Sequence, residues 1–323
     1  MAELQSNEYY YNLRAHYTYY ESIYKDYTVV NLFRDVLSYN PTQIRDKVIL
    51  EVGSGLGAFS LMMARAGAAH VYAWEPSAIS ETSKEIIHVN NYDKIITVLT
   101  GPIENICIPE KVDVIFTSSI GISFYLDTLL PQFLYARDHF LKEGGVILPS
   151  SFEFSLAASK QTNFGVYDDF WDNVYGFDYT PIKNDAPIEP IMCSFLPKYI
   201  NSSVSDFVKI DFKTFEKSQF QIKAPFTIKC NEDDEISLFV FWFKVDYQIP
   251  NRNIVLDTSP FSHPTHFCQI CFNLHEILKV QANDVISGFF TIKPENEMMR
   301  PISYEISYSL NSGEPKTEYF VFQ

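Results

Sequence analysis

Residues 48–57 read Val-Ile-Leu-Glu-Val-Gly-Ser-Gly-Leu-Gly, an apolar strand running directly into a turn with glycine at every second position. Gly53, Gly55 and Gly57 open an apolar stretch of helical character, Ala58, Phe59, Leu61, Met62, Met63 and Ala64. Glycine lacks a Cβ and tolerates positive φ, so such a turn brings bare backbone close to a ligand at a helix N-terminus. A nucleotide-like ligand is therefore expected near residue 55. Glu75 ends the next strand, 22 residues beyond Gly53, where doubly wound folds place an acid that accepts hydrogen bonds from ribose hydroxyls. The glycine spacing is GxGxG, which differs from the GxGxxG of dinucleotide enzymes.

Strand and helix patterns alternate outward from this turn. Strands are expected at 47–52, 70–75, 95–100, 112–117 and 146–148, and helices at 57–66, 77–90 and about 128–141. This alternation specifies an α/β fold with a mostly parallel sheet and helices on both faces. Upstream, residues 8–30 are dense in tyrosine (Tyr9, Tyr10, Tyr11, Tyr17, Tyr19, Tyr20, Tyr24, Tyr27) and predict one or two short helices. After Pro149 the period becomes two. Ile302, Tyr304, Ile306, Tyr308 and Leu310 alternate with Ser303, Glu305, Ser307 and Ser309, which predicts an antiparallel sheet or barrel. The exception is 165–200, where Phe170, Trp171, Val174, Tyr175 and Phe177 crowd into a helical-looking segment rich in proline downstream.

Composition narrows the class. With 323 residues and 46% apolar content the chain can bury a substantial core. No apolar run approaches the roughly 18–20 residues of a membrane span, and Met1–Asn7 lacks the pattern of a secretion signal. Five scattered cysteines argue for a reducing compartment, the cytoplasm first and the nucleus second. Cys268 and Cys271 sit in a strand-like segment, where i and i+3 point to opposite faces, so no metal site is expected. The net charge of −15 is spread over both halves and disfavours direct binding to nucleic acid while attracting basic proteins.

Five segments then carry a family resemblance: Glu-Val-Gly-Ser-Gly-Leu-Gly at 51–57, Ala-Trp-Glu-Pro-Ser at 73–77, Leu-Tyr-Ala-Arg-Asp at 134–138, Asn-Val-Tyr-Gly-Phe-Asp at 173–178 and Thr-His-Phe at 265–267. In this order, over about residues 9–323, the chain resembles the protein arginine N-methyltransferases. The resemblance implies a helical lid at 1–32, a Rossmann-like S-adenosyl-L-methionine domain at 33–149, a cis proline at Pro149, and an antiparallel β-barrel domain at 150–323. It further implies a helical dimerisation arm at about 165–198 with Phe170, Trp171, Val174, Tyr175 and Phe177 at an interface. Gly53, Gly55 and Gly57 would line the methionine and ribose of the cofactor, Glu75 the ribose, Ile103 and Glu104 the adenine, and His16 the lid. Val29 stands where the family has an arginine that pairs with the cofactor's carboxylate, and Arg14 replaces a lid tyrosine. A charge-assisted pair contributes roughly 1.5–3 kcal/mol, so cofactor binding is expected to be weak and the site vestigial.

The same comparison bears on chemistry. A guanidinium, with a pKa above about 12, must present a nitrogen to a sulfonium methyl, and the family grips it with two glutamates. Here Ser118 stands at the first and Asp127 at the second. The resulting expectation is a chain without catalytic residues, similar to the prozyme subunits of trypanosomatid parasites. Such a regulatory subunit would form a hetero-oligomer with a catalytic arginine methyltransferase paralogue, and the complex would act on Arg-rich or RNA-binding proteins. Two alternatives stay open: an active arginine methyltransferase of weak or altered specificity using Asp127 or His266, and a binding module for Arg-rich proteins. Asp127 also suits the N-cap of the helix that follows, and His266 a barrel histidine bonded to neighbouring backbone.

Overall fold

Val48–Val52 (β1) is buried at every position, and this explains why the segment forms the centre of a parallel sheet rather than an alternating edge strand. The computed structural model describes residues 11–12, 14–38, 41–122, 124–160, 169–185, 189–250, 252–295 and 301–322; for 38, 41, 122, 126–128, 184 and 185 it describes the backbone alone. Parts of the expected lid and arm, with Tyr9 and Tyr10, lie outside these residues, as does the side chain of Asp127. The chain forms two units, one of residues 1–152, 211–217 and 245–256 and the other of 153–210, 218–244 and 257–323.

In the first unit, helices α1 (Tyr17–Lys25), α2 (Tyr27–Ser38) and α3 (Pro41–Ile44) precede β1. Then follow α4 (Ala58–Arg65), β2 (His70–Trp74), α5 (Ile79–Val89), β3 (Ile96–Leu99), β4 (Val112–Phe116), the hairpin β5 (Ile120–Ile122) and β6 (Leu126–Thr128), α6 (Leu130–Phe140) and β7 (Leu141–Leu148). The sheet order is β3-β2-β1-β4-β7, all parallel, with Ile49 opposite Val71 on one side and Val114 on the other. Phe33 of α2 meets Phe59 at 4.7 Å, Phe116 at 5.7 Å and Tyr247 at 5.6 Å, all edge to face, which pins the helix to the sheet. Segment 211–217 joins this unit because Phe124 packs on Phe212 and Phe215, and because Arg137 Nη1 donates to the carbonyls of both. The Leu148-Pro149 bond is cis.

Strands β8 (Ser151–Ser159), β9 (Ile191–Cys193), β10 (Ser205–Asp211), β11 (Ile222–Lys229), β12 (Asp234–Ile249), β13 (Arg252–Asp257), β14 (Gln269–Val280), β15 (Val285–Pro294), β16 (Ile302–Leu310) and β17 (Lys316–Phe322) complete the chain. They form one sheet in the order β10-β8-β12-β14-β9, with β13 on β12, and a second in the order β11-β15-β16-β17. Burial along β16 alternates as the period-two pattern requires. In the second unit, Phe241 stacks on Phe290 at 5.4 Å, and Phe272 packs against Phe290, Tyr304 and Phe320, forming an aromatic barrel core.

The arm departs from the helix its aromatic density suggested. Asp169–Asp172 is a short 3-10 turn, and Val174 and Phe177 exchange backbone hydrogen bonds around Tyr175 and Gly176, both at positive φ. Asn173 Oδ1 accepts from the Gly176 amide at 2.7 Å. An asparagine that bonds its own backbone ahead of a left-handed glycine favours a turn over a helix.

Candidate active site

The turn after β1 holds Gly53, Gly55 and Gly57 at φ of +80°, +55° and +82°. Positive φ at three alternate residues is a conformation that glycine alone adopts without strain. At Gly55 the space is also taken: a Cβ there would lie 2.1 Å from the ring of Tyr20. Tyr20 is 4% exposed, and Tyr24 beside it is hydrogen-bonded to the backbone of Leu56 and Ala58. Burial pushes both phenols up, so each stays a neutral hydroxyl at physiological pH.

Glu75, fully buried at the end of β2, is fixed by backbone: the Gly55 amide donates to Oε2 at 2.8 Å and the Ser77 amide to Oε1 at 3.0 Å. The carboxylate is thereby tied to the glycine turn. A cleft of about 310 Å³ lies alongside, lined by Tyr11, Asn12, Pro76, Ser77, Gly101 and Pro102. Tyr11 titrates at about 12, raised by burial first and then by the charges of Glu104 and Glu75.

The polar accounting around the turn is incomplete in a telling way. Tyr20 Oη, Glu51 Oε1, Ser54 Oγ, Ser77 Oγ and Ser83 Oγ are buried and have no hydrogen-bond partner among the described residues. Ser83 Oγ lies 2.9 Å from the position a Cβ on Gly57 would take. A buried polar atom without a partner costs about 1–3 kcal/mol, so five around one turn mark a place that a ligand rich in hydroxyl, amino and carboxylate groups would satisfy. S-adenosyl-L-methionine has that donor and acceptor set, and the residues present fit it.

Glu51, in β1, is the most perturbed acid of this group. Burial pushes it up to about 8; the bond from Ser60 Oγ opposes the shift and the charge of Glu75 adds to it. The folded chain therefore holds a proton there that the unfolded chain, with its ordinary value of 4.5, releases. Stability from this group is complete below about pH 4.5 and is lost as pH rises to about 8. Glu51→Gln should remove that slope, gaining on the order of 4 kcal/mol over wild type across the interval. Thermal melts of both proteins at either end of the interval check this, and parallel pH profiles would contradict it.

The other expected site residues are placed unevenly. Ile103 is buried on a 3-10 turn and Glu104 beside it is exposed. His16 is an exposed residue at the N-cap of α1. Val29 is fully buried in α2. Ser118 is half-buried in the loop after β4, between Thr117, whose Oγ1 donates to the Val52 carbonyl at 2.7 Å, and Ser119, whose amide donates to Thr117 Oγ1 at 3.0 Å. The N-cap reading of Asp127 fails: its backbone lies in β6, and Leu129 holds the cap position of α6. His266, in the second unit, packs its ring on Phe267 at 4.0 Å. On the arm, Tyr175 and Phe177 are 93% and 70% exposed and Phe170 is exposed, whereas Trp171 stacks on Tyr179 and Val174 is buried. Sequence reasoning missed Glu51, Ser54, Ser77, Ser83 and Tyr20, although the first two lie inside the stretch that drew attention to the turn.

Comparison with known proteins gives this geometry its context. Residues 159–313 match the arginine methyltransferase oligomerization subdomain. The chain is 34% identical to protein arginine N-methyltransferase 1 of Schizosaccharomyces pombe over 98% of its length and 93% of that protein. It is also 34% identical to protein arginine N-methyltransferase 1.1 of Arabidopsis thaliana, over 95% of its length and 79% of that protein. Its fold superposes on a chain of the Trypanosoma brucei PRMT1 enzyme-prozyme heterotetrameric complex with AdoHcy, with a TM-score of 0.89, 23% identity, and coverage of 96% of this chain and 99% of that one.

These findings overturn the expectation of a non-catalytic regulatory subunit, because relatives aligned over nearly the whole chain are named as methyltransferases. The physical error lay in reading a rate penalty as extinction. Losing one preorganised charge partner costs about 10²–10³-fold, against enzymatic accelerations of about 10⁶-fold or more. The expectation that the cofactor site is vestigial is unsupported for the same reason, and the unpartnered polar shell of the glycine turn speaks against it. The chain belongs to the protein arginine N-methyltransferase family.

Proposed function

We propose that the chain is an S-adenosyl-L-methionine-dependent protein arginine N-methyltransferase with altered acceptor specificity, and that the glycine turn at 53–57 is its cofactor site. The observation that carries this is the ring of buried, unpartnered polar atoms around that turn, closed on one side by a carboxylate fixed to the turn's own backbone. A solved neighbour of the same fold was obtained with AdoHcy, which agrees with this reading. When bound, the cofactor supplies an electrophilic methyl group to an acceptor nitrogen.

The chain's own residues have the following tasks. Glu75 accepts from the ribose hydroxyls while the Gly55 and Ser77 amides hold it in place. Asp127 grips and orients the acceptor guanidinium, and Ser118 offers a neutral hydroxyl where a second carboxylate would concentrate charge. One ionic grip in place of two relaxes the preference for a fully charged guanidinium, which is the source of the altered specificity. The net charge of −15 favours basic, Arg-rich protein substrates. Oligomerisation through the arm, by way of exposed Phe170, Tyr175 and Phe177, is supported by the match to an oligomerization subdomain. A cytoplasmic or nuclear setting suits five free cysteines.

Radiolabelled methyl transfer to an Arg-Gly-rich peptide tests the reading. Label should appear on arginine, and Asp127→Asn should reduce turnover by about 10²-fold or more. Tight binding of S-adenosylhomocysteine with no methyl transfer to any basic peptide would refute it.

A further inference from the structure

Pairing of β9 with β14 brings together two thiols that lie 78 positions apart in the chain: Cys193 Sγ stands 3.8 Å from Cys271 Sγ. Cys193 is opposite Gln269 and Ile191 is opposite Cys271, so the two sulfurs occupy diagonal positions on one face of the sheet. Cys271 is fully buried in a core cluster with Ala157, Leu238 and Val240, and Cys193, half-buried, packs on that cluster from the outermost strand of its sheet. Their surroundings are held in place. The Phe195 amide donates to Gln269 Oε1 at 2.6 Å, and Gln269 Nε2 donates to the Thr258 carbonyl at 2.7 Å.

The two thiols are chemically unequal. Burial pushes the Cys271 thiol up, while the hydrogen bond that Cys271 offers lowers the Cys193 thiol, so Cys193 is the sulfur that reaches the reactive thiolate first. It is also the one that a small solute can reach from the sheet edge. Cys271 is sheltered from solvent but already in contact with its partner, which is the arrangement of an attacking thiol and a resolving one.

We propose that Cys193 and Cys271 form a reversible redox dithiol, oxidised by hydrogen peroxide to a disulfide that ties β9 to β14. In the first step the Cys193 thiolate attacks one peroxide oxygen; an S–O bond forms, the O–O bond breaks, and the departing hydroxide leaves as water with the proton Cys193 gave up. The Cys271 sulfur then attacks the Cys193 sulfur. An S–S bond forms, the S–O bond breaks, and the hydroxyl leaves as a second water with the Cys271 proton. Two thiols lose two electrons in all, and one peroxide gains them. Diagonal neighbours stand farther apart than an unstrained disulfide requires, so closure draws in the three-residue edge strand, and a bond made this way is open to attack by a free thiol. Because β9 follows the arm segment, the bond fixes the point at which the arm rejoins the sheet.

The test treats the reduced full chain with hydrogen peroxide, blocks remaining thiols with iodoacetamide, and maps the digest by mass spectrometry without reduction. Wild type should yield a single intramolecular disulfide joining the peptides of Cys193 and Cys271, reopened by millimolar glutathione. Amide exchange across 191–195 should slow by about tenfold or more in the oxidised protein, since local opening of β9 is then restrained. Cys271→Ala should leave Cys193 as a sulfenic acid that dimedone traps, whereas Cys193→Ala should leave Cys271 reduced at the same peroxide dose. The exposed Cys107 reports that the dose was sufficient in every sample. Oxidation of Cys107 with Cys193 and Cys271 both still free, a bond from Cys193 to Cys268 instead, or a disulfide that glutathione cannot reopen would each overturn the proposal.

Discussion

Gly55→Val is expected to weaken S-adenosylhomocysteine binding by at least about 100-fold and to abolish measurable methyl transfer, while the far-ultraviolet spectrum stays native. Two independent costs fall on this residue. The backbone is at φ +55°, which penalises a side chain by about 1–2 kcal/mol, more for a β-branched one. The Cβ would also sit 2.1 Å from Tyr20 Cε1 and 2.9 Å from two further ring atoms. Tyr20 has nowhere to go: it packs edge-on against Tyr19 at 5.2 Å and tilted against Tyr24 at 6.1 Å, and it is buried. Overpacking of this kind adds about 1–3 kcal/mol. The strain also reaches the ligand site, because the amide of Gly55 is one of the two donors that fix Glu75. Gly144→Val separates strain from site: its φ is +71° with open space where the Cβ would stand, so it should cost stability and leave cofactor affinity unchanged. Affinity of Gly55→Val within threefold of wild type would show that the turn does not form the cofactor site.

The sequence carried most of the first unit because its signals are local. An unbroken apolar strand, three alternate glycines and an apolar helix need no distant partner to be recognised, and β1, α4, β2 and α5 fall where the periodicities put them. The site was less legible wherever two remote segments make it. Arg14 and Ser119 are 105 positions apart, so nothing in the local pattern around either says that one donates to the other. Asp127 precedes an apolar helix with Pro131 near its start, a pattern that suits a cap, yet pairing of Ile120 with Thr128 draws it into a strand. The same holds in the barrel. Cys268 and Cys271 invited comparison because they are neighbours in sequence, but antiparallel pairing of β9 with β14 places Cys193, not Cys268, 3.8 Å from Cys271. Segments 211–217 and 245–256 join the first unit through aromatic packing that composition does not announce.

Ser118→Glu is expected to raise kcat/KM for an Arg-Gly-rich peptide by about 10²-fold, with the gain in kcat. The loop is already fixed on both sides of this residue, by Thr117 on the Val52 carbonyl and by the Ser119 amide on Thr117 Oγ1. A longer side chain at 118 therefore starts from a set backbone rather than from a mobile one, and Ser118 is half-buried. With Asp127 in its proposed role, a second carboxylate at 118 would draw positive charge to the far nitrogens of the guanidinium and leave the reacting one richer in electrons. That benefit grows as the methyl is transferred, which is why it should appear in kcat. Ser118→Gln is the control, since it matches the reach of glutamate without the charge and should leave turnover near wild type. Equal rises for glutamate and glutamine would mean that shape rather than charge limits the acceptor, and no rise for either would remove residue 118 from the acceptor site.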